Sequence, residues 1–154
     1  MSDLRVVNEK NEADNQYIIF NINKESYAID VSQVNNIIQM PKITKVPKSP
    51  EYFSGVISLR GEIIPIMSLH RRMNYGEDSI TKDSRIIILN IEDERLMGVI
   101  VDEVKEVLTI PENEIEQPSP FINADESFIR GIGKKGEELI SILKIGSLTK
   151  KDIA

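Results

Sequence analysis

The sequence predicts an all-β protein with short helices, built from two related lobes of about five strands each. Three observations carry that prediction. Short runs rich in isoleucine and valine are separated by Gly, Pro, Asn and Asp, the pattern of strands and turns. No long stretch keeps a 3.6-residue apolar period, which argues against a helical bundle. The two halves also resemble each other without internal gaps. A shift of 76 lays Gly55 on Gly131 and 63–69 on 139–145, and a shift of 69 lays 17–22 on 86–91. Lobes of about 65 residues are small for a sandwich but suit compact barrels, whose closure limits exposed edges.

The elements follow in order. Residues 17–22 (YIIFNI) form a first strand and 27–29 a second, after the turn Asn23-Lys24-Glu25. Residues 34–39 (VNNIIQ) suit either a strand or a short helix. Pro41, Pro47 and Pro50 forbid long regular structure over 41–50. Residues 55–59 and 62–67 form a hairpin about Arg60-Gly61, with Pro65 marking an edge position or a bulge. Residues 68–73 form one helical turn. In the second half, 85–91 and 95–101 flank the acidic turn Glu92-Asp93-Glu94, and 104–110 follows. A Pro/Glu-rich connector covers 111–120, and 128–133 and 138–145 close the set about a turn at 134–137. Ser147 is placed to N-cap a final helix, 148–153. The expected organisation is a flexible tail over 1–14, a first lobe over about 15–82, a second over about 83–145, and a C-terminal helix over 146–154.

Composition excludes several function classes. A chain of 154 residues without cysteine has no disulfide scaffold, thiol catalysis or cysteine zinc site, and fits a reducing compartment. The first 15 residues lack an apolar core of signal-peptide length, and the longest apolar run, 96–101, is far too short to span a bilayer. A soluble intracellular protein is expected, with no membrane insertion. The net charge of −6 argues against nucleic acid. The charge is uneven: 42–72 carries six basic residues against Glu51 and Glu62, whereas 92–126 carries eleven acidic residues against Arg95 and Lys105. Such a division suits oppositely charged partners at different surfaces.

Catalytic and ligand-binding patterns are missing from the sequence. The single histidine, His70, lies in the cationic run His70-Arg71-Arg72 with no acidic residue between 63 and 76. That setting predicts a surface or rim histidine rather than a buried His–Asp pair or a metal ligand. The carboxylates cluster in turns and connectors, as on solvated faces. The one glycine-rich stretch, Gly131 to Gly136, joins two strands instead of opening a helix, so it reads as a hairpin turn and not a phosphate loop. The expectation is an interaction module with no catalytic residue, metal or cofactor.

The order of features resembles the CheW-type chemotaxis coupling proteins. The resemblance rests on 17–22, on Tyr27-Ala28-Ile29-Asp30, on Val34 to Ile37, and above all on Gly55-Val56-Ile57-Ser58-Leu59-Arg60-Gly61-Glu62-Ile63-Ile64-Pro65-Ile66. Gly98-Val99-Ile100-Val101-Asp102, Val107-Leu108 and Arg130-Gly131-Ile132-Gly133 add to it, over about 15–148. It implies two SH3-like five-stranded β-barrels and no catalysis. It implies an adaptor that joins the chemotaxis histidine kinase (CheA), through its regulatory domain, to the cytoplasmic tips of chemoreceptors. Its place would be the cytoplasm, recruited to receptor arrays at the inner face of the membrane. The family's partner-binding positions carry over onto Val34, Asn36, Gly55, Arg60, Gly98 and Val107. Asn36, Ser58, Ser68 and His70 depart from the family's usual Glu, Asn, Asp and Arg. The alternative implied by the same fold is a stand-alone regulatory domain that binds a different signalling kinase.

Overall fold

A computed structural model describes residues 15–117 and 128–149. Among them the chain forms ten strands: β1 (Gln16–Ile22), β2 (Glu25–Asp30), β3 (Val34–Gln39), β4 (Phe53–Leu59), β5 (Glu62–Ser68), β6 (Arg85–Ile91), β7 (Arg95–Val101), β8 (Glu103–Thr109), β9 (Ile129–Lys135) and β10 (Glu138–Leu143). Two one-turn helices, α1 (Leu69–Arg72) and α2 (Ile145–Leu148), follow β5 and β10. The strands make two five-stranded sheets, ordered β8-β1-β2-β10-β9 and β3-β6-β7-β5-β4. The all-β expectation holds, and 34–39 is a strand.

The repeat extends to residue pairing. Ile57 faces Ile64 and Gly55 faces Ile66 in the first hairpin; 76 residues on, Gly133 faces Ile140 and Gly131 faces Ile142. In each sheet the segment after the edge strand returns to the far edge. Thr44 exchanges two backbone hydrogen bonds with Val56, at 2.9 and 2.8 Å, and Glu116 exchanges two with Ile132, at 2.9 and 2.7 Å. These bridges close each sheet into a small barrel, so the edge amides and carbonyls there are paired.

The lobe boundaries differ from the sequence expectation. The lobes are not 15–82 and 83–145, because each sheet takes its first hairpin from one repeat and its other three strands from the other. The seam is a parallel pair in both cases: Ala28 faces Ile142 between β2 and β10, and Gly98 faces Ile66 between β7 and β5. One of the two connectors explains the exchange. A single residue, Asp102, separates β7 from β8, and three residues, Val31–Gln33, separate β2 from β3. A tight hairpin needs at least a two-residue loop in a suitable turn. Asp102 alone cannot return β8 to the side of β7, so the chain runs on into the other sheet.

Other expectations shift by a few residues. The hairpin turn between β9 and β10 is Gly136-Glu137, so Lys134 and Lys135 belong to β9. Ser147 lies inside α2 and does not cap it; the cap position is Lys144. The expected tail over 1–14 and the helical residues 150–153 lie outside the described residues.

Six isoleucines, 57, 64, 66, 86, 88 and 100, form the core of the β3–β7 sheet. Each fully buried isoleucine contributes about 1.5–3 kcal/mol. In the other sheet Tyr17, Ile19, Ala28, Ile110, Ile140 and Ile142 play that part. Gly98 keeps the first core closed, since a Cβ there would stand 2.6 Å from Ile66 Cδ1 and 2.7 Å from Ile86 Cγ2. Gly55 has φ 142°, and a Cβ on it would collide with the backbone carbonyl of Thr44, the residue that closes the barrel.

Gly55→Ala should therefore cost about 3 kcal/mol or more, from backbone strain and overpacking together. Gly61→Ala, with φ 83° but no atom within 4 Å of the added Cβ, should cost about 1–2 kcal/mol. Urea unfolding of the two variants measures the difference, and equal costs would contradict the closure argument.

Candidate functional site

The candidate docking residues separate into a buried row and exposed points. Three of them stand on one rung across all five strands of the β3–β7 sheet. Asn36 pairs with Ile88, Ile88 with Gly98, Gly98 with Ile66, and Ile66 with Gly55. Directly paired residues share a face, and Ile88 and Ile66 are fully buried. Asn36, Gly98 and Gly55 accordingly sit on the inner side. The Oδ1 atom of Asn36 is buried and has no hydrogen-bond partner among the described residues. Val34 is half-buried at the start of β3. Val107 belongs to the other sheet, on the exposed face of β8, and is 54% exposed.

Arg60 is at the tip of the β4–β5 hairpin. Its φ of 51° and the 83° of Gly61 are the paired positive angles of a two-residue type I′ turn. The arginine is exposed, and no ion pair among the described residues involves it. The equivalent position in the second hairpin is Gly136, with φ 62°. A left-handed position costs a side-chain-bearing residue about 1–2 kcal/mol relative to glycine. The repeat fills it once with glycine and once with arginine, so packing does not select the arginine. Beside it, Ile63 faces Ser58 on the outer side of the hairpin and is 67% exposed.

Sequence reasoning missed a polar network beneath this lobe. His70 is not on the rim: it is 5% exposed, and its Nε2 lies 2.8 and 3.0 Å from the two carboxylate oxygens of Asp102. The physical reason is the parallel seam. Ser68 pairs with Ile100 at the end of the seam, so the residues two positions beyond, His70 in α1 and Asp102 in the connector, come together. Asp102 Oδ2 also accepts from the Asn23 amide at 2.8 Å, and the Asp102 amide donates to the Asn21 carbonyl at 3.0 Å. Asp102 thus ties the tip of the β1–β2 hairpin to α1. The histidine's local cationic neighbours had pointed the other way, but they are occupied elsewhere. Arg71 pairs with Glu77 at 2.8 Å, and the buried Arg72 lies 4.4 Å from the Tyr52 ring centroid.

Ser68 N-caps α1, its hydroxyl oxygen accepting from the Arg71 amide at 3.1 Å. It also donates to Asp78. Burial pushes the Asp78 carboxyl above the ordinary aspartate value, against the Ser68 hydrogen bond and the charges of His70 and Arg71, which pull it down. The Ser68 hydroxyl is therefore committed to the helix start and to Asp78. Ser68 and His70 thus anchor the start of α1 through separate partners, Asp78 and Asp102.

His70→Ala should destabilise the protein by about 1–3 kcal/mol, because it strips a hydrogen bond from a partly buried carboxylate. Glu77→Ala, at an exposed ion pair, should change stability by no more than about 1 kcal/mol; denaturant unfolding compares them. A raised folded-state pKa for Asp78 makes the folded state bind more protons than the unfolded one, so its contribution falls as pH rises from about 4. Asp78→Asn should therefore flatten the acid side of the stability profile and raise stability at neutral pH, as thermal melts across pH would show.

Comparison with known proteins agrees with this architecture. Residues 16–152 match the model of the CheW-like domain. The chain is 38% identical to the chemotaxis protein CheW of Bacillus subtilis over 136 residues, covering 88% of this chain and 86% of that protein. It is 34% identical to the Thermotoga maritima chemotaxis protein CheW, covering 81% of this chain and 76% of that one. The crystal structure of the scaffolding protein TtCheW from Thermoanaerobacter tengcongensis superposes with a TM-score of 0.83 at 38% identity, over 90% of this chain and 89% of the other. With two SH3-like lobes and a family match over nearly its whole length, the chain belongs to the CheW-like family.

Proposed function

We propose that this protein is a non-catalytic adaptor of bacterial chemotaxis, coupling the histidine kinase CheA to the cytoplasmic tips of transmembrane chemoreceptors. The kinase's regulatory domain and the receptor tip are its two partners, and the adaptor works at the inner face of the membrane within receptor arrays. No helix among the described residues is long and apolar enough to cross a bilayer, so attachment through partners suits it. The observation that carries the reading is Arg60, an exposed cation held in a left-handed turn where the repeat uses glycine. A guanidinium there offers a fork of donors to carboxylates or backbone carbonyls, in a direction set by the turn.

The six candidate residues divide by role. Arg60, Val34 and Val107 make contact with a partner. Gly55, Gly98 and Asn36 act through the shape of the lobe, since the glycines admit the closing strand and the core isoleucines. Exposed apolar residues on equivalent strands, Ile63 in one sheet and Leu139 in the other, supply area to be buried. They are related by the shift of 76, so each lobe offers a similar face.

Reconstitution of kinase, receptor fragments and adaptor tests the reading. Arg60→Glu should weaken capture of the receptor tip by about tenfold or more, the loss of one charge-assisted contact. Receptor control of kinase autophosphorylation should fall with it, while unfolding stability stays within about 1 kcal/mol. Full receptor control with Arg60→Glu would sink the assignment of Arg60 as a docking point. No capture of either partner by the wild-type protein would sink the adaptor reading itself.

A further inference from the structure

An open groove of about 210 Å³ lies between the 46–49 segment and the outer face of the β4–β5 hairpin. Val46, Phe53, Val56 and Pro65 line it, and Val46 is 43% exposed. The lining hydroxyl, that of Ser49, is already given to the Val46 carbonyl at 2.9 Å. The groove therefore offers an apolar wall without a charge of its own. The apolar face continues past it, because Val56 pairs with Pro65 and, two residues on, Ser58 pairs with the exposed Ile63. The charge comes from the rim. Residues 42–50 hold Lys42, Lys45 and Lys48 and no carboxylate. Lys48 stands between the lining residues Val46 and Ser49, is exposed, and makes no ion pair among the described residues. Its φ is 63°, a left-handed position that glycine fills at less cost. Pro47 and Pro50 restrict the backbone on either side of it. A long cation is thus held in a strained position beside an apolar groove, with nothing in its own lobe to account for it.

We propose that this groove takes an apolar side chain from an acidic segment of a protein partner, and that Lys48 pairs with a carboxylate beside that side chain. Charge complementarity selects the acidic segment, since the 42–50 rim is wholly basic. Exposed apolar surface beside it supplies the anchor. The inference rests on the adaptor reading and adds to it a recognition point apart from Arg60. A coupling protein holds two partners at once, so one of the two fills the groove and the other does not.

The test offers kinase regulatory domain and receptor-tip fragments separately to the immobilised full chain. Lys48→Glu and Val46→Asp should each lower capture of one and the same partner by about tenfold and leave the other unchanged. Lys48→Gly is the sharper variant, because it removes the cation and relieves the left-handed backbone together. It should lower capture of that partner while raising the urea midpoint of unfolding, a split that a merely structural lysine would not give. Lys48→Arg, which keeps the charge, should retain capture. Wild-type capture of that partner should also fall more steeply with added salt than capture by Lys48→Gly. Unchanged capture of both partners by Lys48→Glu, or an equal loss of both, overturns the proposal alone. A wild-type protein that captures neither partner overturns the adaptor reading and this proposal with it.

Discussion

Everything in this fold depends on two parallel seams. In each sheet a strand from one repeat lies parallel to a strand from the other, β2 beside β10 and β7 beside β5. Parallel neighbours cannot be joined by a tight turn, so the seams are made by partners distant in sequence. In one of them a small residue is required at the centre, Gly98, because isoleucines press on it from both sides. At β7–β8 the exchange of hairpins follows from the one-residue connector. The result is a pair of barrels that are each incomplete without both halves of the chain.

The seam also organises the functional candidates. The rung that contains Gly98 runs from Asn36 to Gly55, so both glycines are part of the barrel wall. The same seam brings His70 to Asp102, and Asp102 in turn holds the β1–β2 tip. Arg60 is outside this constraint. It occupies a turn that the second hairpin builds with glycine, and its side chain is exposed.

The charged groups near α1 show how one packing arrangement uses a cationic run in three ways. His70 is buried on a carboxylate, Arg71 bridges to Glu77, and Arg72 covers the Tyr52 ring. Interactions of this kind hold a one-turn helix that has little stability of its own.

Local pattern in the sequence was enough for the all-β class, the hairpin about Arg60-Gly61, the one-turn helix after β5 and the 76-residue echo. These features arise from alternation, turn residues and proline, which act over a few residues at most. The distinctive segment around Arg60 was legible for the same reason. Tertiary structure alone decided which strands share a barrel, because the exchange turns on pairing between residues far apart in sequence, Ala28 with Ile142 and Ile66 with Gly98. It alone decided that His70 is buried: Asp102 is 32 residues away, and only the parallel register reveals the approach. And it decided that Gly55 and Gly98 are packing residues, since the atoms that exclude a side chain there belong to other strands and to the closing segment.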